Sequence, residues 1–306
     1  IMAYTTIDKP TDYFDSKLYS ATTNDLSITG LDFAPNWIWI KNRNNTGDHN
    51  IFDSVRGTGK QLQSNTNGAE FTTADALSAF NSDGFSITGT GNNYTNRDGR
   101  TYVAWNWKAG TSFTNDASST GIGTIDSSGS FNNDSGFSIC SFTGNGTSGA
   151  SVKHGLSTKP AMMIIKNRDE ADSWQVYHHK NTSAPATETL QLNETGATSD
   201  TSNRWNDTEP TTAIFTLGDN PTVNKNTIKY IGYIFSEIKG YSKFSSYTGN
   251  GSTDGTFVYT GFRPAFLMVK ASSVTGNWVM SDNKRSVFNR VQNTLYANVA
   301  DAELTD

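Results

Sequence analysis

Three stretches of the chain share one pattern of apolar and polar positions. Each begins at a proline, continues through five mostly apolar residues and reaches a lysine: Pro35–Lys41, Pro160–Lys166 and Pro264–Lys270. A continuous apolar run of this length is typical of a strand buried on both faces. Proline cannot donate a hydrogen bond within a sheet, so each strand should begin just after it. The pattern therefore predicts three equivalent central strands.

The spacing around these strands repeats as well. A large ring follows each lysine by eight residues, at His49, Trp174 and Trp278, and begins a second short apolar run. A Leu-x-x-Asn pattern recurs further on, from Leu62, from Leu190 and from Leu295. Because the features occur in the same order, we predict three tandem copies of one module, about 105 to 125 residues apart.

The repeat divides the chain into predicted units. We expect a first β-sandwich module at 1–110, a Gly/Ser/Thr-rich linker at 111–135, a second module at 136–240 and a partial third module at 241–306. The short connection after residue 240 predicts that modules two and three pack closely, whereas modules one and two are joined more loosely.

Three further segments have a predicted local structure. The segments Tyr102–Trp107 and Tyr230–Ser236 have the alternation and position of a strand that closes each module. The stretch Thr72–Phe80 is the best candidate for a turn of helix, the alternative being a loop, because Thr73 could cap it and Leu77 and Phe80 have helical spacing.

Composition strengthens the β interpretation. Of the 306 residues 17% are charged and 34% are hydrophobic, and 27 are glycine. Uncharged polar residues fill much of the rest, which suits short strands joined by many turns. The predicted fold class is all-β, with tandem antiparallel β-sandwich modules.

Charge and reactive side chains exclude several classes of protein. The net charge is −5 and no block of Lys or Arg occurs, so the chain lacks the footprint of a nucleic-acid-binding protein. The one cysteine, Cys140, is expected to be a buried thiol. The four histidines lack the short, defined spacings of a zinc site, so we predict neither metal nor cofactor. No signal peptide and no apolar run of membrane-spanning length occur, so we expect no membrane insertion.

Paired carboxylates are the remaining route to catalysis, since a glycosidase needs only two acids across a cleft. Asp53 and Glu70 of the first copy recur as Asp282 and Glu303 in the third, but the second copy has neither. A repeat that keeps its shape without the acids indicates that they are structural. We predict that the protein is not an enzyme.

Sugar binding has a clearer physical basis in the sequence. Aromatic rings stack on sugar faces, and amide side chains bind hydroxyl groups. Three Asn-rich loops, at 42–50, 91–96 and 203–207, offer these residue types; the second contains Asn92 and Tyr94, and the third contains Trp205 and Asn206. We predict these four residues as glycan contacts; the alternative is that each loop is an ordinary turn with one packed ring.

Four segments carry a resemblance to a known family: Trp37–Arg43, Phe52–Gly57, Ser82–Phe85 and Tyr102–Lys108. They resemble a module of marine bacteriophage virion proteins, chiefly those of cyanophages. Such modules are similar to concanavalin-like (SPRY-like or LamG-like) jelly rolls and often occur in tandem in tail-fibre-like proteins. The resemblance covers residues 2 to about 108, extends over 136–240 and includes 241–306 as a partial copy.

The resemblance implies a structural protein of the virion, a subunit of a tail fibre or another surface appendage. Its partners would be other virion proteins, copies of itself and host-cell glycans, and it would be made in the host cytoplasm. The alternative is a glycan-binding or glycan-depolymerising surface protein. Because the third copy lacks a closing strand and natural sheets seldom leave edges bare, we expect a longer natural chain or a strand from a neighbouring chain.

Overall fold

Antiparallel β-strands make up almost all of the regular structure in the computed structural model, which describes residues 5–89 and 94–305. The first module has nine strands: β1 (Phe14–Ser20), β2 (Leu26–Ile28), β3 (Trp37–Asn42), β4 (Asn50–Asp53), β5 (Lys60–Gln61), β6 (Phe71–Thr72), β7 (Leu77–Asn81), β8 (Gly84–Ile87) and β9 (Thr101–Trp107). A 3-10 turn at Pro10–Asp12 precedes them. The all-β prediction is confirmed.

The second module has ten strands: β10 (Thr111–Asn115), β11 (Ser127–Asn132), β12 (Phe137–Thr143), β13 (Ala150–Lys153), β14 (Met162–Asn167), β15 (Gln175–His178), β16 (Glu188–Gln191), β17 (Ser199–Asp200), β18 (Ile214–Leu217) and β19 (Lys229–Phe235). Its short helical segments are α1 (Ala117–Thr120), α2 (Ser202–Trp205), α3 (Pro221–Asn224) and a 3-10 turn at Pro185–Thr187. The third module has β20 (Phe266–Val269), β21 (Val279–Asp282), β22 (Asn293–Tyr296) and β23 (Leu304–Thr305).

Each of the first two modules consists of an inner sheet and an outer sheet. The inner sheet of module one has the strand order β1-β9-β3-β4, and its outer sheet has the order β2-β8-β7. The inner sheet of module two extends to eight strands, β10-β11-β12-β19-β14-β15-β16-β17, and its outer sheet is β13-β18. The two modules therefore use the same pairing. The closing strand β9 lies between β1 and β3, and the closing strand β19 lies between β12 and β14.

Two hydrophobic layers cover each inner sheet. Ile38 and Ile40 of β3 pack towards the outer sheet, in a cluster with Phe85 and Ile87 of β8. The opposite face carries Trp37, Trp39 and Trp105, and belongs to one cluster shared by all three modules. Every residue of β3 and of β14 is buried, as their apolar runs predict.

The third module has only part of this arrangement. β20 pairs with β21 but lies at the edge of the sheet β20-β21-β22-β23, so the prediction of a central strand is wrong for the third module. No counterpart of β9 or of an outer sheet occurs among the described residues. Leu267 is consequently 49% exposed, whereas Ile38 at the same repeat position is 0% exposed.

Two local predictions are wrong. The predicted linker 111–135 contains β10 and β11, which pair with each other and with β12. Its polar composition is misleading because Phe113 and Phe131 contact each other across this hairpin, with ring centroids 6.0 Å apart. The predicted helical turn Thr72–Phe80 is instead a loop at 73–76, as in the stated alternative, followed by β7, in which Leu77 is buried against the outer-sheet cluster.

The three modules close into a ring through a main-chain hydrogen bond used three times. It runs from N–H to C=O between modules one and two, two and three, and three and one: Glu70 to Arg168 (2.8 Å), Thr198 to Ser272 (2.8 Å) and Glu303 to Arg43 (2.7 Å). The prediction that modules one and two are loosely joined is therefore wrong.

Side chains repeat the same order of contacts. The ring eight residues after each lysine bonds to a carbonyl of the preceding module: Trp174 Nε1 to Gln63 (3.0 Å), Trp278 Nε1 to Gln191 (2.9 Å) and His49 Nε2 to Tyr296 (2.9 Å). The three lysines do the same, Lys41 to Ala300, Lys166 to Asn67 and Lys270 to Thr195, each at 3.2 Å. The equivalence predicted for Lys41, Lys166 and Lys270 is thus confirmed by their partners.

Candidate functional site

The repeated acids lie in buried ion networks that join modules. Asp53 is paired with Arg56 and accepts a hydrogen bond from the Tyr233 hydroxyl of module two at 2.7 Å. Glu70 contacts Arg56 at 3.1 Å and holds Arg168 of module two through two bonds of 2.9 and 3.0 Å. Burial alone would raise the pKa of Glu70, but the hydrogen bonds and charges of Arg168 and Arg56 lower it.

The joint between modules three and one repeats this network. Asp282 is paired with Arg285 and accepts a bond from Trp105 Nε1 at 2.9 Å. Glu303 contacts Arg285 at 3.0 Å and binds Arg43 of module one in the same two-bond geometry. All four acids are thus held by guanidinium groups at module joints.

The joint between modules two and three has a neutral version. The positions of Asp53, Arg56 and Glu70 are occupied by His178, Asn181 and Thr198. The Thr198 hydroxyl donates to Asn181 Oδ1 at 2.7 Å, in place of the Arg56–Glu70 pair. At this joint, an uncharged hydrogen bond therefore replaces the ion pairs of the other two joints.

The predicted glycan contacts within the described residues lie in two modules, Trp205 and Asn206 in module two and Tyr94 in module one. Trp205 is 0% exposed, and its Nε1 donates to the Glu188 carbonyl at 2.9 Å, so its predicted role in stacking on a sugar is wrong. It packs near Tyr177, because α2 turns the indole into the core of module two. Asn206 ends that helix in the left-handed conformation (φ 52°), and its Oδ1 accepts a bond from Ser148.

Tyr94 lines a cavity, which lies in module one. The Tyr94 side chain is 37% exposed and its ring contacts that of Phe71, with centroids 5.7 Å apart. Its carbonyl accepts a hydrogen bond from Asn50 Nδ2 at 3.1 Å, which fixes the backbone at the rim. Asn92, the other residue of this predicted loop site, lies outside the described residues.

The cavity has a volume of about 200 Å³ and a polar lining. The loop after β3 supplies one wall and the segment before β9 supplies the other; the lining residues are Asn42, Thr46, Gly47, Asp48, Asn50, Tyr94, Arg97 and Arg100. Arg100 Nη1 donates to the Thr46 carbonyl at 3.2 Å, so the two walls are connected. Asp48 accepts bonds from Asn65 at 2.7 Å and Gln63 at 3.2 Å, which hold its carboxylate in place.

One lining group is buried without a partner. Asn42 is 2% exposed, and its Nδ2 has no hydrogen-bond partner among the described residues. Its Oδ1 accepts a bond from the N–H of Asn45 at 2.8 Å, which fixes the amide plane. A buried donor without an acceptor is costly and marks a place where a ligand oxygen would be stabilised.

Sequence reasoning named Tyr94 and the Asn-rich loop 42–50 that lines this cavity, but it missed Arg97 and Arg100. Asn42 and Arg100 are far apart in the chain and meet only through the pairing of β3 with β9. A signal was present in the repeat, because module two has Asp172 where module one has Gly47.

The described residues show no other obvious chemical centre. Within 5–89 and 94–305, no group of three or more His, Cys, Asp or Glu side chains could hold a metal ion. Cys140 is buried and donates to the Lys153 carbonyl, and burial raises its thiol pKa. No helix in this part of the chain is long and apolar enough to cross a membrane.

The fold and the cavity together define an all-β protein of three repeated modules, closed into a ring, with a small polar site on the first. The chain belongs to a family described as a domain of unknown function (DUF7483), which matches residues 9–306. No curated protein and no solved structure matches the chain.

Proposed function

We propose that the protein is a structural, non-enzymatic subunit of a bacteriophage surface appendage of the tail-fibre type, and that its first module contacts host glycans. The observation that carries the proposal is the closed ring of modules. Three copies of one unit share a single hydrophobic core and repeat the same contacts at every joint. A rigid block of this kind suits a load-bearing particle component.

The placement of the acids supports the non-enzymatic part of the proposal. A glycosidase needs one carboxylic acid and one carboxylate facing a cleft. Asp53 and Asp282 are instead fully buried beside Arg56 and Arg285, which hold them in ion pairs. Their chemistry serves the joints between modules.

The resemblance to cyanophage-type virion modules supplies the biological setting of the proposal. The tandem concanavalin-like or jelly-roll organisation belongs to the same proposal. The inner and outer sheets of modules one and two agree with a sandwich of this type. The cavity beside Tyr94 is the place on the first module where a glycan contact is proposed.

Labelling of intact virions tests the proposal. Antibodies against the purified protein should mark an appendage of the phage that encodes it in electron micrographs, and the protein should be recovered from gradient-purified virions by mass spectrometry. Its presence in the infected lysate but absence from purified virions would overturn the structural role. Release of reducing ends from host polysaccharide by the pure protein would overturn the non-enzymatic role.

A further inference from the structure

We propose that the cavity of the first module binds the carboxylate of an acidic saccharide, such as a uronate-containing oligosaccharide. The inference rests on the proposed contact with host glycans and names the chemical class of the glycan. The supporting observation is a comparison of equivalent positions in modules one and two. Module two has carboxylates of its own at positions that are open in module one.

The first difference concerns the buried amide. Asn42 and Asn167 end equivalent strands, one residue after Lys41 and Lys166. Asn167 Nδ2 donates to the carboxylate of Asp172 at 2.7 Å, whereas Asn42 Nδ2 has no partner among the described residues. The place of Asp172 is taken by Gly47: the N–H of each bonds to the matching carbonyl of another module, Asn67 for Asp172 and Ala300 for Gly47.

The second difference concerns a cation at the cavity wall. Arg97 and Lys225 are equivalent, because the N–H of each bonds to a tyrosine hydroxyl of the closing strand, at 3.1 and 2.8 Å. The Lys225 ammonium is neutralised by Glu170 at 2.6 Å. Module one has the neutral Asn45 at the position of Glu170.

The third difference adds a positive charge to module one. Arg100 lies at the position of Ile228, since the carbonyl of each accepts the equivalent bond from the first strand region, from Ala21 and Gly144. Its guanidinium borders the cavity beside Gly47, where a Cβ would lie 3.5 Å from Nη1. Module one therefore lacks two carboxylates of module two, those of Glu170 and Asp172, and has the guanidinium of Arg100 in addition. It also has one carboxylate of its own, Asp48, at the position of Ser173.

Charge and shape both favour an acidic sugar. Arg97 and Arg100 outweigh the single carboxylate of Asp48, so the lining has an excess of one positive charge. Guanidinium groups bind carboxylates through strong charge-assisted hydrogen bonds. The cavity of about 200 Å³ is smaller than the pockets of about 300–1,000 Å³ that enclose drug-sized ligands, so it suits one sugar-sized group. The partly exposed Tyr94 ring lies at the rim, where a neighbouring sugar could stack.

Calorimetric titration of the purified chain with oligogalacturonate, and with a neutral oligosaccharide of the same length, tests the inference. We expect saturable binding of the acidic ligand only, weakened by added salt. Gly47→Asp places in module one the carboxylate that module two already has. Because the new Cβ would make only ordinary contacts of 3.5 and 3.6 Å, the variant should fold and lose about tenfold or more in affinity.

The matched control is Asp172→Gly, which opens the corresponding place in module two but meets Ile228 instead of an arginine. It should leave the affinity for the acidic ligand unchanged. Arg100→Gln provides a second test if Gly47→Asp fails to fold, and it should also weaken binding.

Several results would overturn the inference. They are equal binding of neutral and acidic saccharides, undiminished binding in both folded cavity variants, absence of binding by the wild-type chain, and tighter binding of an acidic peptide such as oligoglutamate. Any of these combined with positive labelling of virions would reject the acidic-sugar site while leaving the proposed structural role intact.

Discussion

At the scale of single residues, His49 differs in type from Trp174 and Trp278 but makes the same contact with a carbonyl of the preceding module. It is buried at the place of Trp174 and Trp278, accepts a bond from Trp39 Nε1 at 2.8 Å through Nδ1, and therefore donates from Nε2 to Tyr296. This arrangement requires the neutral imidazole. Burial lowers its pKa well below the usual value, and the nearby charge of Lys41 adds to the effect.

Two histidines with lowered pKa values, the buried His154 and the half-buried His178, predict a loss of stability in mild acid. Burial lowers the pKa of His154 to about 4, and burial followed by the charge of His179 lowers that of His178 to about 4. Because the unfolded value is 6.5, the unfolded chain binds more protons below it, so stability is full above pH 6.5 and is lost as pH falls towards 4. The free energy of unfolding, measured by urea denaturation at several pH values, should fall with decreasing pH by up to about 1.4 kcal/mol per pH unit for each histidine.

A double variant isolates the contribution of His49. Trp39→Ile with His49→Trp reproduces the pair Ile164 and Trp174 of module two. The variant should remain folded and show a shallower pH slope between 6.5 and 4.5 than the wild type. Stability that does not change over this interval in the wild type would contradict the prediction.

At the scale of elements, the hairpin β10–β11 is the clearest departure from what composition suggested. Gly129 in β11 faces Ile139 of β12 so closely that an added Cβ would lie 1.9 Å from the Ile139 carbonyl oxygen. Only glycine allows the two strands to pair at that distance. The glycine that made the segment look like a linker is required by the sheet.

Gly129→Ala should therefore be destabilising, by about 1–3 kcal/mol as for other overpacked sites. Thermal unfolding and limited proteolysis within residues 109–135 measure the effect. Gly196→Ala is the control, because a Cβ there would meet nothing within 4 Å. Equal stability of the two variants would mean that the hairpin contributes nothing to the sheet.

At the scale of the whole molecule, stability depends on the joints of the ring. Two joints use a partly buried Arg–Glu pair, and the third uses Thr198 and Ser272. Arg168→Ala would leave Glu70 with Arg56 as its remaining ion-pair partner, and hydrogen bonds to charged groups contribute about 1.5–3 kcal/mol each. Arg43→Ala should act similarly on Glu303.

Ser272→Ala is the matched variant at the third joint, where the N–H of Thr198 bonds to the carbonyl of Ser272, which the substitution keeps. We expect the two arginine variants to lower the unfolding midpoint by several degrees and Ser272→Ala to leave it close to that of the wild type. Similar midpoints for all three variants would show that the ion pairs do not stabilise the ring.

The sequence by itself determined the all-β fold class, the repeated pattern and the central strands β3 and β14. These depend on local alternation and on spacing, which are readable along one strand. It also identified His49 as a packing residue and the repeated acids as structural. The residue type and neighbours of Tyr94 predicted a glycan contact, and this role stays a prediction. The same reasoning failed at Trp205, because exposure depends on what packs above a residue.

Only the tertiary structure decided how the modules are joined and where the cavity lies. The ring places Arg43 against Glu303, and strand pairing places Asn42 near Arg100. Such contacts join residues far apart in the chain, so no local pattern encodes them. The cavity is open because module one has Gly47 in place of the carboxylate of Asp172. The missing carboxylate leaves a binding site because folding brings the Asn42 amide and two guanidinium groups together around that position.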